Sequence, residues 1–365
     1  FIRTMPQTYA FLAKNNFIEM KGYTKIADNT YENLVSLLTG LRLNEIPQKC
    51  QDQKIGGLDR CPMIWKNFSS NGYITAFVED AIRISTFNYN KMGFSEPPTD
   101  YYFKPYMEAA EALGVRIYHK LPYCAGPGTS AERVLNLARD FVTTFKNQST
   151  FGIFWMSSFS HNYLRVPYSM DKKVKEFFAD LKKEGILNNT MVIVLSDHGI
   201  RFGEIRKTRG GWFEERMPIN MISVPRTFRQ NLSREYQNVR KNRNKLISTY
   251  DMFVTLEHVL TLSETGYKRK GSSACKKCVS LLEEIPRDRS CEDAGISTEW
   301  CTCGGHFRPL DIKDDFVERA ANHAIDKLNN WPLVKETCTD VFLSKIVSAS
   351  VSESISDTGT KYLFL

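Results

Sequence analysis

Apolar residues recur along this chain at two spacings, one helical and one of strand length, and the two alternate. Phe1–Phe17 reads as an amphipathic helix with Met5, Tyr9, Phe11 and Leu12 on its core face. Asp28–Gly40 reads as a loop and a short helix: Asp28 or Asn29 can cap it, Leu34, Leu37 and Leu38 are its apolar face, and Gly40 ends it. Tyr73–Val78 reads as a buried strand, Arg116–Tyr118 as a short one, and Thr129–Phe145 as a helix. Phe151–Met156 and Met191–Leu195 are continuous apolar runs of strand length. Between them Ser169–Glu184 is helical, with Asp171 as a polar start, a stripe of Val174, Phe177, Phe178 and Leu181, and Gly185 as its end. Strand, helix and strand in succession predict a βαβ unit and a parallel sheet, hence an α/β fold. Ile219–Val224 and Asp251–Leu262 predict a further strand and helix. Because α/β domains usually open with a strand, one is expected upstream of Phe1.

After Gly266 the periodicity weakens and cysteines crowd in. The pattern predicts a domain over 1–265 and a Cys-rich α+β subdomain over 266–365, with a helix at Phe316–Leu328 and a strand at Val341–Val351. The length of 365 residues agrees with about two domains. A chain 42% hydrophobic and 25% charged is neither disordered nor collagen-like, and no apolar run is long enough to span a bilayer. The net charge of +8 is scattered; it suits an anionic substrate or solvated faces, and nucleic acid is not an expected partner. Nine cysteines accompany four glycosylation sequons, at Asn67, Asn147, Asn188 and Asn231. Together they predict a secreted, extracellular or lumenal glycoprotein with disulfides drawn from Cys50, Cys61, Cys275, Cys278, Cys291, Cys301, Cys303 and Cys338. Cys124 is the expected free thiol. A zinc site is the other reading of Cys275-x-x-Cys278 with Cys301-x-Cys303.

Two motifs carry chemistry. Ser196-Asp197-His198-Gly199 follows an apolar strand, and the carboxyl end of a parallel strand is where open α/β sheets bind ligands. Asp197 and His198 offer one oxygen and one nitrogen to a divalent metal, while Gly199 lets the backbone approach closely. Alone, the pair is equally a helix-capping Asp beside a solvent histidine. Thr30 lies at the first turn of a short helix, where free amides and the helix dipole favour an alkoxide and a phosphate. A threonine hydroxyl is inert until a metal or base lowers its pKa; alone, Thr30 is equally a residue near a helix cap.

Taken together these motifs resemble the alkaline phosphatase superfamily, which includes sulfatases, nucleotide phosphodiesterases and phosphoglycerol or phosphoethanolamine transferases. In sulfatases the nucleophile lies nine residues before a Thr-Gly pair. Thr39-Gly40 matches that pair, and nine residues back is Thr30. Asp171–Gly199, Gly72–Ala76 and Glu214–Pro218 resemble other sulfatase segments in order. The whole chain is similar to an uncharacterised animal family, domain of unknown function 229, through Gly22–Gly40, Gly72–Ala81, Ser196–Gly203, Glu214–Pro218, Arg289–Cys291 and Cys301–Cys303.

The resemblance implies an alkaline-phosphatase-like α/β/α sandwich with a central, mainly parallel sheet. Threonine at position 30 departs from the cysteine of conventional sulfatases and suits phosphotransfer. Two-metal members carry an Asp four residues before the histidine matching His161; here it is Ser157, so the resemblance implies one divalent ion, manganese or zinc. Its implied ligands are Thr30, Asp197, His198 and an acid on the upstream strand. His161, Asn33, Arg206, Lys207 and Arg209 would bind the anionic, phosphorylated ester, and a membrane anchor can precede residue 1. Arg216 is read as an ion-pair or ligand residue, and Glu79 and Asp80 as solvated loop residues or as partners of a substrate headgroup. The implied reaction is metal-dependent hydrolysis or transfer of phosphate esters with Thr30 as nucleophile. The alternatives are a catalytically inactive binding protein, suggested by Ser157 and by Glu32 where a proline is usual, and a sulfate-ester hydrolase.

Overall fold

Two of the longer helices begin at caps the sequence supplies. Thr129 and Glu132 form a capping box that opens the helix Ser130–Thr144, and Ser248 with Asp251 opens Thr249–Leu262 in the same way. The structure, a computed structural model, describes residues 1–113, 116–118, 121–125, 128–263, 266–303, 307–353 and 361–364. The first helix is Pro6–Lys14, shorter than its expected span, because the chain turns into the strand Phe17–Glu19. Its start is capped from a distance: the buried Asp171 carboxylate accepts from the N–H groups of Gln7 and Thr8, at 2.9 and 2.8 Å. The helix that Asp171 itself opens, Asp171–Lys183, packs beside it.

Strand Ile74–Glu79 runs parallel to Tyr101–Tyr102 on one edge and to Thr150–Trp155 on the other. In a second sheet Asn220–Ser223 lies between Phe17–Glu19 and Val192–Leu195, antiparallel to both. Parallel pairing is thus present, as expected, but Thr150–Trp155 and Val192–Leu195 do not pair with each other. Among the described residues each pairs along a single edge, which leaves both half-exposed although their sequences read as buried. Neighbouring strand residues point to opposite faces. Ile18, Ile193 and Ile222 join the core under helices Thr30–Thr39, Ile64–Ser70 and Thr249–Leu262. Phe17, Val194 and Met221 join the core under Pro6–Lys14, Ser130–Thr144 and Asp171–Lys183. Helices thus cover both faces of the strands, in an α/β/α arrangement.

The compact unit runs from Phe1 to Thr302, and a second from Cys303 to Leu365. The boundary expected at 265/266 therefore lies at 302/303. The reason is that residues 266–302, though poor in periodicity, are strapped onto the first unit. Ser272 Oγ donates to Gly40 O at 2.7 Å, Asn242 Nδ2 donates to Leu281 O and Glu283 O, and Leu281, Leu282 and Ile285 are core. In the second unit Asp314 caps the helix Asp315–Asn329, followed by the short helix Pro332–Thr337, and Ser350–Glu353 pairs with Phe307–Pro309 and Lys361–Phe364. Most of the strand expected at Val341–Val351 is absent. Val341 N–H donates to Asn329 Oδ1 and Val341 O accepts from Asn329 Nδ2, and Val341, Phe342, Leu343 and Val347 are exposed rather than layered against a sheet.

Disulfides join Cys50 to Cys61, Cys275 to Cys278 and Cys291 to Cys301. These bonds consume the thiols that a zinc site at Cys275, Cys278 and Cys301 would need. Cys303 and Cys338, expected in disulfides, are exposed free thiols instead. Cys301 is already bonded to Cys291, and Cys338 follows the short helix Pro332–Thr337 without joining Cys303. The side chain of Cys124 lies outside the described residues. Among those described, no helix is long and apolar enough to cross a membrane.

Candidate functional site

Thr30 is the first residue of the helix Thr30–Thr39, and it is half-exposed, with no hydrogen-bond partner for its hydroxyl among the described residues. Asn29 precedes it in extended conformation but makes no side-chain cap. The loop is shaped instead by Asn33, which is buried. Its Oδ1 accepts from the N–H groups of Ile26 and Ala27, and its Nδ2 donates to Ala27 O and Asn29 O. All four positions of the amide are committed, so Asn33 holds the Thr30 loop and cannot also be the substrate-binding residue expected. At the far end Gly40 adopts φ 65°, a left-handed turn in which a Cβ would strike the Phe253 ring.

Asp197 and His198 follow the strand Val192–Leu195. Gly199 is required there for close approach: a Cβ would lie 2.1 Å from Glu214 O, and its N–H donates to Glu215 O at 3.0 Å. The His198 Nδ1–H donates to Gly199 O at 2.7 Å, which leaves a lone pair on Nε2. That atom stands 3.3 Å from Asp197 Oδ2. Both atoms are buried and neither has a hydrogen-bond partner. A carboxylate oxygen and an imidazole nitrogen facing one buried point, with the imidazole oriented by a backbone carbonyl, fit a divalent cation. Among the described residues no third His, Cys, Asp or Glu lies close enough to complete a three-ligand cluster with them.

Two latches tie this loop to the loop of Thr30. Arg201 Nη1 donates to Asp28 O at 3.1 Å and Asn29 Oδ1 at 3.0 Å, and pairs with the Asp28 carboxylate at 3.0 Å. Lys25, wholly buried, pairs with Glu215 and lies 3.9 Å from the centre of the Trp300 ring. Burial lowers the Lys25 pKa, and Glu215 opposes that shift. Arg216 also pairs with Glu215, at 2.8 Å, and stacks over Trp212, so of its two expected roles it takes the ion pair. Nothing in the sequence pointed to Arg201 or Lys25, since their partners are remote in the chain.

His161 is half-exposed; its Nδ1 lies 2.7 Å from Asn162 Oδ1 and its ring 5.8 Å from that of Phe202. Its N–H donates to Ser157 O, and Ser157 N–H donates to Asp80 Oδ1 at 2.6 Å. Asp80 also accepts from the N–H and hydroxyl of Ser158. It is buried, as is Glu79, which accepts from the N–H and hydroxyl of Thr86, so the expectation that both are solvated is overturned. Burial pushes Glu79 up to about 8, with Asp80 and Asp197 adding to the rise and the Thr86 hydrogen bonds opposing it; burial pushes Asp80 up to about 6. Tyr23, missed by sequence reasoning, has a buried hydroxyl without a partner, and burial and the Asp197 charge raise its pKa. Arg206, Lys207 and Arg209 lie on the exposed segment after Ser196–Gly199. Lys207 pairs with Glu204 at 3.0 Å, and Arg209 lies 6.0 Å from the Phe213 ring.

The profile of the family described as "Protein of unknown function (DUF229)" matches residues 1–347. The chain belongs to that family. No curated protein matches this DUF229 chain. Among solved structures it is similar to a protein in the alkaline phosphatase superfamily from Vibrio parahaemolyticus, with TM-score 0.50 and 15% identity, over 78% of this chain and 65% of the other. It is also similar to the C-terminal periplasmic domain of phosphoethanolamine transferase EptC from Campylobacter jejuni, with TM-score 0.45 and 11% identity, over 77% and 88%. A third is the lipoteichoic acid synthase LtaP from Listeria monocytogenes, with TM-score 0.45 and 14% identity, over 74% and 67%. The match to the Vibrio parahaemolyticus protein, together with the α/β/α arrangement, gives this DUF229 chain an alkaline-phosphatase-like α/β fold.

Proposed function

We propose that this protein is a metal-dependent hydrolase or transferase of phosphate esters, secreted or lumenal, with Thr30 as nucleophile. The observation that carries the reading is the pair Asp197 Oδ2 and His198 Nε2, buried, facing each other and without proton donors, on a loop that Arg201 latches to the start of the Thr30 helix. Asp197 and His198 would hold one divalent ion, manganese or zinc, with Thr30 Oγ1 as a further ligand; a bound ion supplies Lewis acidity that lowers the hydroxyl pKa. With its hydroxyl proton released to water, Thr30 Oγ1 forms the bond to phosphorus as the bond to the leaving oxygen breaks on the opposite side, and that oxygen takes a proton from water to leave as the alcohol. Water or an acceptor alcohol then takes the phosphoryl group from Thr30. Free amides at the first turn of Thr30–Thr39 favour the anionic group there. His161 contacts the transferred oxygens or the leaving group, and Arg206, Lys207 and Arg209 draw the anion to the site.

A non-catalytic binding role is the second reading, favoured by the absence of a third acidic, histidine or cysteine ligand beside Asp197 and His198 among the described residues. One experiment addresses both readings. Purified full chain is supplied with Mn²⁺ or Zn²⁺ and given bis-nitrophenyl phosphate, and bound metal is counted. One ion per chain and hydrolysis that falls on the order of 10³-fold in Thr30→Ala support the enzyme. Bound metal with rates equal in the two proteins sinks the nucleophile, and no bound metal favours the binding role. Nitrophenyl sulfate, hydrolysed in preference, would move the assignment to sulfate esters.

A further inference from the structure

The candidate site occupies one end of the strands: Glu79 ends its strand, and Asp80, His161 and Asp197 come after the carboxyl ends of theirs. The opposite end carries a different chemistry. Asn147 lies just before Thr150–Trp155, and Asn188 lies just before Val192–Leu195. The two segments touch, since Asn189 Nδ2 donates to Lys146 O at 3.3 Å. Asn231 ends the helix Arg226–Asn231, which packs on the turn Ile186–Asn188, where Thr227 Oγ1 donates to Asn188 O at 3.4 Å. All three asparagines are exposed and each begins an Asn-x-Ser/Thr triplet. A strand of six residues separates this pole from the site by roughly 20 Å.

The fourth triplet differs. Asn67 is half-buried on the helix Ile64–Ser70, and its Nδ2 donates to Tyr267 Oη at 3.0 Å. Tyr267 in turn donates to Glu257, a buried carboxylate that also receives the N–H groups of Lys270 and Gly271. A sugar on Asn67 Nδ2 would push Tyr267 away and leave the buried Glu257 carboxylate short of a donor.

We propose that Asn147, Asn188 and Asn231 carry N-linked oligosaccharides that cap the pole opposite the candidate site, and that Asn67 carries none. The proposal rests on the secretory placement given under the proposed function. The donor is a lipid-linked oligosaccharyl pyrophosphate. The asparagine Nδ2 forms a C–N bond to the anomeric carbon as the bond from that carbon to phosphate oxygen breaks. The lipid pyrophosphate leaves, the amide proton passes to a base of the transferase, and nothing is oxidised or reduced. Glycans placed there leave the carboxyl ends of the strands open and shield the half-exposed strand edges from other chains.

The test uses full chain secreted from eukaryotic cells. Digested protein is treated with peptide N-glycanase in ¹⁸O water, which converts each glycosylated Asn to ¹⁸O-labelled Asp, and cysteine pairing is mapped in parallel by alkylation without reduction. Label at Asn147, Asn188 and Asn231, with none at Asn67, is the expected result. Label at Asn67, or its absence at any of the three, overturns the assignment. Bare triplets with the three disulfides closed defeat the glycan sites alone, whereas bare triplets with free thiols defeat the secretory placement too. Ser149→Ala, Thr190→Ala and Ser233→Ala, which keep each asparagine, should each remove one discrete step of gel mobility, and Ser69→Ala should remove none.

Discussion

Glu79 and Asp80 end the strand Ile74–Glu79 as consecutive carboxyls on opposite faces, both buried, and their environments set them apart. Asp80 receives three hydrogen bonds from Ser157 and Ser158, which hold the segment leading to His161. Glu79 receives its bonds from Thr86 and feels Asp197. Unfolded, Glu79 titrates near 4.5; folded, burial pushes it up to about 8. Between those values the folded protein keeps a proton that the unfolded chain has released. This group therefore stabilises the fold fully below pH 4.5 and loses that contribution as pH rises through about 8. Glutamine can accept from Thr86 as the neutral acid does, without titrating. In metal-free protein, Glu79→Gln should gain Tm relative to the natural protein as pH goes from 5 to 8, followed by calorimetry. A Tm difference that stays constant over that range would show that Glu79 is already ionised in the fold.

At the scale of elements, the helix Thr249–Leu262 shows what sequence reading reaches and what it does not. Its capping box, Ser248 with Asp251, is local and legible. Asp251 has a second task, pairing with Arg289 at 2.9 Å, with both side chains buried. Arg289 also donates to Leu246 O and Asp293 O, and so fastens residues 266–302 to the helix. Arg289→Met should cost about 3–5 kcal/mol in urea unfolding, because it leaves Asp251 charged and unpaired. Arg289→Met with Asp251→Asn should recover part of that loss; equal losses in the two proteins would mean the cost is packing alone. The same division runs through the fold. Helices and the main strands were legible because periods, caps and glycine stops act within a few residues. The strand partners of Thr150–Trp155 and Val192–Leu195 were not, because pairing depends on segments far along the chain. In the site, Asp197, His198 and Gly199 could be read from one tetrapeptide. The commitment of Asn33 to its loop and the Arg201 latch became visible only with the loops in place.

For the whole molecule, the three disulfides and the buried Asp251–Arg289 pair all lie before residue 303. So do the elements that carry Thr30, Asp197 and His198. The cross-links Cys50–Cys61 and Cys291–Cys301 close loops of 11 and 10 residues, and each contributes roughly 2–4 kcal/mol by restricting the unfolded chain. Residues 266–302 complete a core that would otherwise expose the helix Thr249–Leu262, so a cut at 265 removes residues of that core and a cut at 302 removes none of them. A chain ending at Thr302 should therefore unfold cooperatively, within about 2 °C of the corresponding transition of the full chain, as read by circular dichroism. A chain ending at Leu262 should lose that transition, having lost Leu281, Leu282, Ile285 and the partners of Asp251. If the chain ending at Thr302 melts without cooperativity, residues 303–365 are part of the same folding unit. If the chain ending at Leu262 melts as the full chain does, the segment rich in cysteines is an appendage after all.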